Sequence, residues 1–192
     1  MKDALMVAMM IIRRSNRVAA CFKLPGIVEG EIMSDLIFRI SECFKSRKKP
    51  DVLVGSNELT YDEIEEVNFV GAYDWSETTG DLWEKYSAVL SWFSPDAFCY
   101  YLPGVMVSSI KENEPNLIVV SNLIGMLDRT PNSDWWDDFF VARWPLLTLK
   151  ECNVLQEWLI WLSSAENSSF DQNSIERALG TIGLLIYRKR IA

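Results

Sequence analysis

Three observations predict a mainly α-helical protein. Apolar residues recur at helical spacing along most of the chain, and several of those stretches open on a residue suited to capping a helix. The composition, 49% apolar and 12% aromatic with eight tryptophans in 192 residues, supplies a dense core for one domain and too short a chain for two. The expectation is a single helical domain over residues 1–192, of about seven or eight helices. One short strand pair is allowed, and residues 1–30 could form a loosely attached N-terminal segment.

The first element is an apolar run, Ala4 to Ile12, followed by Arg13, Arg14 and Arg17. A secretory signal carries its charge ahead of the apolar stretch, and nine residues fall short of the about 20 that cross a bilayer, as does Ala178–Tyr187. Residues 1–19 are therefore read as a docked amphipathic helix, with contact to a membrane surface as the second reading. Lys23–Gly30 contains Pro-Gly and reads as a connector. From Glu31 to Lys48, Ile32, Leu36, Ile40, Cys43 and Phe44 follow helical spacing, with the basic run Lys45–Lys49 in the last turn and Pro50 as the stop. That run reads as a solvated helix end rather than a nucleic-acid patch.

Asp51–Leu59 is a turn-rich link whose Val52, Leu53 and Val54 could pair as an edge strand. Thr60 with Glu63 three positions on is a capping-box pattern, which predicts a short helix exposing Asp62, Glu63 and Glu66. Asn68–Gly80 reads as a loop carrying exposed Tyr73, Asp74 and Trp75. Thr79 or Gly80 starts a helix through Trp83, Tyr86 and Leu90. Ser94, Pro95 and Asp96 then supply an N-cap, a proline at the first helical position and an acid in the positive first turn. Phe98, Tyr101, Leu102 and Val105 share one face. Pro103 has no N–H to offer the Cys99 carbonyl, so the expectation is a kink or stop near Leu102 and a bent, buried helical hairpin, with Gly104 easing the bend.

Lys111–Asn116 is a polar turn. Leu117–Leu127 has a β-branched start that suits a strand, while its length and spacing suit a buried helix, which is the reading adopted. Ser133 or Asp134 caps a helix through DWWDDFFVARW, ended by Pro145, in which one of Trp135 and Trp136 faces the core. Thr148 caps an amphipathic helix with Leu149, Cys152, Leu155, Leu159 and Leu162 on its inner stripe. Ser163–Asp171 is loop, and Ser174–Lys189 is the closing helix, finished by Arg188 to Arg190.

The string LSWFSPDAFCYYLPGVM, with weaker likeness from about Ile32 to Leu162 through ISECF, WWDDF and LTLKECNVLQEWLIWL, resembles a family of small bacterial proteins of unassigned function. Its motif is roughly F-S-P-E-A-F-x-Y-Y-L-P, and Cys99 stands where a basic residue is expected. Some members look like immunity proteins of contact-dependent inhibition or polymorphic toxin systems. The resemblance implies a mostly helical fold and brings no catalytic residues.

Charge and chemistry narrow the function. The net charge of −8 is uneven: residues 51–150 hold 17 acids and five bases, whereas residues 1–50 hold ten bases and five acids. An acidic centre disfavours nucleic acid as a ligand and permits a basic protein partner. The four cysteines show no Cys-x-x-Cys spacing, which fits reduced thiols in a cytoplasmic protein. The absence of histidine removes the commonest general base and transition-metal ligand. Ser108 to Lys111 match S-x-x-K without the companion motifs of that class. Adjacent carboxylates such as Asp62 with Glu63, Glu65 with Glu66 and Asp137 with Asp138 keep a carboxylate-dependent enzyme as an alternative, and a helical adaptor is another.

The favoured expectation is a non-enzymatic immunity protein binding the C-terminal domain of a cognate toxin, a nuclease with a basic cleft. No cofactor, metal, nucleic acid or membrane is expected as a ligand. The partner-binding residues expected are Asp62, Glu63, Glu66, Asp74, Trp75, Asp134, Trp135, Asp137 and Asp138, in one acidic face anchored by aromatics.

Overall fold

The buried side chains gather around one helix that is enclosed for most of its length. The computed structural model describes residues 29–55 and 59–191, so the expectations for residues 1–28 lie outside the described part. Among the described residues the protein is mainly α-helical, with nine α-helices, three short 3-10 turns and no strand beyond an isolated bridge. The helices are α1 (Glu29–Phe44), α2 (Tyr61–Gly71), α3 (Gly80–Lys85), α4 (Val89–Trp92), α5 (Pro95–Lys111), α6 (Ile118–Leu127), α7 (Asp138–Arg143), α8 (Leu149–Ser164) and α9 (Gln172–Ile191).

The central helix is α5. Ser94 Oγ accepts the Ala97 N–H at 3.3 Å, with Pro95 and Asp96 in the places the sequence predicts. Of the kink or stop expected at Pro103, the stop does not occur: α5 runs on to Lys111 as one helix. Every residue from Ala97 to Met106 is buried, and α1, α3, α4, α6 and α7 all pack against α5. That packing outweighs the about 3 kcal/mol a proline costs inside a helix. Gly104 also makes a close approach possible. A Cβ there would lie 2.7 Å from the Trp75 carbonyl oxygen and 2.5 Å from Thr78 Oγ1, so the missing side chain lets the Trp75–Glu77 turn seat against α5. Outside this centre, α8 packs on α9 and α1, and α6 packs on α9.

Several boundaries differ from the sequence expectation. α1 already covers Glu29 and Gly30 of the predicted connector and stops at Phe44 before the basic run. That run is not a solvated helix end. Arg47 leaves the helix to donate from Nε and Nη2 to the two carboxylate oxygens of Glu151 at 2.6 and 2.7 Å, and Lys49 donates to the Tyr73 carbonyl at 3.0 Å. The link after it forms only a single antiparallel bridge, Val54 with Phe93.

The capping box at Thr60 and Glu63 is present, and α2 continues through Gly71 into the predicted loop. α3, capped by Thr79, ends before Tyr86, so the predicted helix through Leu90 is two helices. Residues 118–127 are helical, as predicted. The helix expected from Ser133 is also divided. Asn132 caps a 3-10 turn over Ser133–Trp135, and Asp137 caps α7. Thr148 and Glu151 form a second capping box at α8, and Cys152, Leu155, Leu159 and Leu162 are fully buried as its inner stripe requires.

Candidate partner-binding surface

α2 is two-sided. Val67, Val70 and Gly71 face the core, and Gly71 admits the Leu53 side chain to a position where a Cβ would meet Leu53 Cδ1 at 2.1 Å. The outer side carries Tyr61, Glu65 and Phe69 at successive four-residue steps, with Tyr73 following at the same spacing. Tyr61 is 78% exposed and Phe69 46%. Phe69 lies 6.0 Å from Tyr73 and 5.1 Å from Tyr86, ring centre to ring centre, which makes an aromatic cluster open to solvent. Asp62 and Glu65 are exposed and Glu66 is half-buried; none of the three makes a hydrogen bond or ion pair with a described residue. Residues 61–77 hold six carboxylates and no lysine or arginine.

The other acids of this stretch work inside the fold. Glu63 accepts the Thr60 N–H at 2.7 Å, and Glu77 accepts the Asp74 N–H at 2.9 Å. Asp74 accepts the Tyr100 hydroxyl at 2.9 Å and sits 3.9 Å from Lys49 Nζ. Burial, and then the bond to Asp74, push the Tyr100 phenol up to about 12. Trp75 is half-buried against the core rather than exposed.

The second acidic segment is built differently. Trp135 is 74% exposed while Trp136 is 7% exposed. Trp136 donates its indole N–H to the Thr130 carbonyl at 2.9 Å and lies 4.8 Å from the Phe140 ring. The Arg188 guanidinium stands 5.0 Å from the Trp136 ring centre and also bonds Ser133 Oγ. Asp137 accepts the Phe140 N–H at 2.8 Å and pairs with Arg129 at 2.8 Å. Asp134 and Asp138 are exposed, and Lys189 reaches the nearby Pro145 carbonyl at 2.7 Å. Cations of the fold therefore surround this segment.

The two segments flank α5 from roughly opposite sides. Asp74 and the backbone around it meet Tyr100, Tyr101 and Gly104, whereas α7 meets Phe98 and Cys99. At about 100° per residue those two sets of α5 positions point away from each other. Asp62, Glu66 and Asp74 thus belong to one surface, and Asp134, Trp135, Asp137 and Asp138 to another. Tyr61, Phe69 and Tyr73 are the aromatics of the first surface, and their four-residue spacing is the signal that could have found Tyr61 and Phe69 beforehand.

Several buried polar groups are engaged, while the indole N–H groups of Trp83 and Trp144 and the Nε atoms of Arg129 and Arg143 are buried without a hydrogen-bond partner among the described residues. Glu151, buried at the start of α8, holds Arg47 and also accepts the Thr148 N–H at 2.6 Å. Arg143 is buried without a carboxylate. It donates to the Phe93 and Phe139 carbonyls and lies 3.8 Å over the Phe139 ring, and burial lowers its pKa. Ser108 is buried and bonds the Gly104 carbonyl of its own helix at 2.8 Å, a structural use of the S-x-x-K serine. The described thiols Cys43, Cys99 and Cys152 are free, and burial raises Cys99 to about 12 and Cys152 to about 11, which keeps both protonated at neutral pH.

Among the described residues no group of three or more acidic or thiol side chains is placed to hold a metal ion, and no helix is long and apolar enough to cross a membrane. A model described as a family of unknown function (DUF6714) matches residues 33–180. The chain belongs to that family. The matched span runs from α1 into α9, so both acidic segments and the enclosed helix fall within the family's extent. No curated protein and no solved structure matches the chain.

Proposed function

We propose that this protein is an immunity protein of the bacterial cytoplasm, which neutralises a toxin domain by covering a basic surface such as a nuclease cleft. The reading rests on one observation above all: the outer side of α2 presents Asp62, Glu65 and Glu66 without internal cations, beside exposed Tyr61, Phe69 and Tyr73. Acids left unneutralised by their own fold attract a cationic partner over a distance and speed its encounter. Exposed aromatics then supply area that is dehydrated on contact, which holds the complex together. Trp135 with Asp134 and Asp138 forms a secondary contact on the other side of the molecule.

The test is co-expression with the C-terminal region encoded by the adjoining upstream reading frame, scored by growth and by co-purification. Growth rescue together with a stable complex is the expected result. A toxic C-terminal region that this protein neither rescues nor binds overturns the proposal. Once a complex is in hand, its association rate should fall steeply with added salt. A salt-independent rate removes the acidic surface from the mechanism.

A further inference from the structure

The aromatic cluster on the outer side of α2 already holds a cation, and that cation belongs to the protein itself. Lys85, the last residue of α3, places its ammonium 5.0 Å from the centre of the Tyr86 ring and 5.9 Å from that of Phe69. No carboxylate lies within ion-pair distance of it among the described residues. In a chain of net charge −8, an exposed lysine has many acids to choose from. This one faces two rings instead. The negative face of an aromatic ring attracts an ammonium or guanidinium, and two adjoining rings make a seat for one such group. Around the seat, Glu65 precedes Phe69 by one helical turn, and Asp62 and Glu66 flank the same side of α2.

We infer that the Phe69–Tyr86 ring pair is the docking seat for a single lysine or arginine side chain of a basic protein segment, and that Lys85 occupies the seat in the free protein. On binding, the incoming side chain takes the place over the rings, Lys85 swings out to solvent, and the flanking acids pair with neighbouring basic groups of the same segment. Lys85 thereby acts as an internal competitor that weakens capture of stray polycations. This deepens the proposed function, on which it rests for the identity of the partner, by naming the chemistry of the group that the surface selects.

The probe is a capped hexalysine peptide, titrated by calorimetry at low ionic strength into wild type and three variants. Lys85→Met removes the ammonium from the seat while keeping the aliphatic stem. Lys150→Met, on the first turn of α8, changes the net charge by the same amount elsewhere and serves as the charge control. Phe69→Leu keeps apolar volume and every charge but removes one ring. Lys85→Met should bind the peptide about threefold more tightly than Lys150→Met does, and Phe69→Leu about threefold more weakly than wild type. Equal affinities for the two lysine variants, or no binding of the peptide to wild type, overturn the inference. Should Phe69→Leu unfold, the comparison of the two lysine variants still decides. The peptide experiment needs no toxin, so a seat that behaves as described alongside failed co-expression rejects the toxin as partner and leaves the seat standing.

Discussion

Residues 61–77 and 133–143 read alike as sequence and are used in different ways. Both set acids beside aromatics, and both lie against α5. In the second stretch Arg129 pairs with Asp137, which caps α7, and Arg188 covers Trp136, while the carboxylates of Asp134 and Asp138 make no bond with a described residue. In the first stretch, Asp62, Glu65 and Glu66 are left without partners among the described residues, and the Lys85 ammonium rests on rings rather than on acids. The difference teaches that a local count of carboxylates does not identify a contact surface. What separates the two stretches is the row of exposed aromatics, Tyr61, Phe69 and Tyr73, that stands beside the unpaired acids of the first.

The largest test of that contrast is a pair of tryptophans. Trp136→Ala should destabilise the fold by about 3–5 kcal/mol, because it removes a buried indole and its bond to Thr130, whereas Trp135→Ala should stay within about 0.5 kcal/mol. Chemical denaturation measures both, and equal losses would erase the division between the two faces of that turn. Next, Asp137→Ala should cost about 1–2 kcal/mol through loss of the α7 cap and the Arg129 pair, while Asp62→Ala should leave stability almost unchanged.

The third test reads binding. The double reversal Asp62→Lys with Glu66→Lys should weaken the partner complex roughly tenfold, mainly through slower association, with a smaller effect for Asp134→Lys with Asp138→Lys. A larger effect from the second pair would transfer the principal contact to the other side of α5. The smallest effect concerns Asp74, the acid of the first stretch that is tied to the core. Tyr100→Phe should cost about 1 kcal/mol by removing the hydroxyl that Asp74 accepts. The Tyr100 phenol is held up to about 12 in the folded protein by burial and by that bond, above the about 10 of an unfolded tyrosine. Its contribution to stability is therefore full below about pH 10 and declines as pH rises through about 12. Melting temperatures across that window should fall less steeply in Tyr100→Phe.

Much of the fold was legible where the signal was local. Thr60 with Glu63, Thr148 with Glu151, and Ser94 with Pro95 each announce a helix start within four residues, and each is found. The misreadings came where a distant residue decides. Pro103 should break an isolated helix, but neighbours from several other parts of the chain enclose α5. Arg47 looked like part of a solvated tail because its partner, Glu151, is 104 residues away. For the candidate surface, the acids could be counted from the sequence, but their split into two surfaces depends on which α5 positions each stretch packs against. The choice between Trp135 and Trp136 likewise depends on Thr130, Phe140 and Arg188 arriving together. The outward row from Tyr61 to Tyr73 was available in the spacing, and reading Asn68–Gly80 as a loop concealed it.

Gly104 lets the interior set the position of a surface segment. Because only a hydrogen atom separates its α-carbon from the Trp75–Glu77 turn, the girth of residue 104 sets how far that turn stands off from α5. A methyl group added there would meet the Trp75 carbonyl oxygen at 2.7 Å, so the turn that follows Asp74 has to shift. An enclosed position on α5 is thereby coupled to where an exposed acidic segment sits.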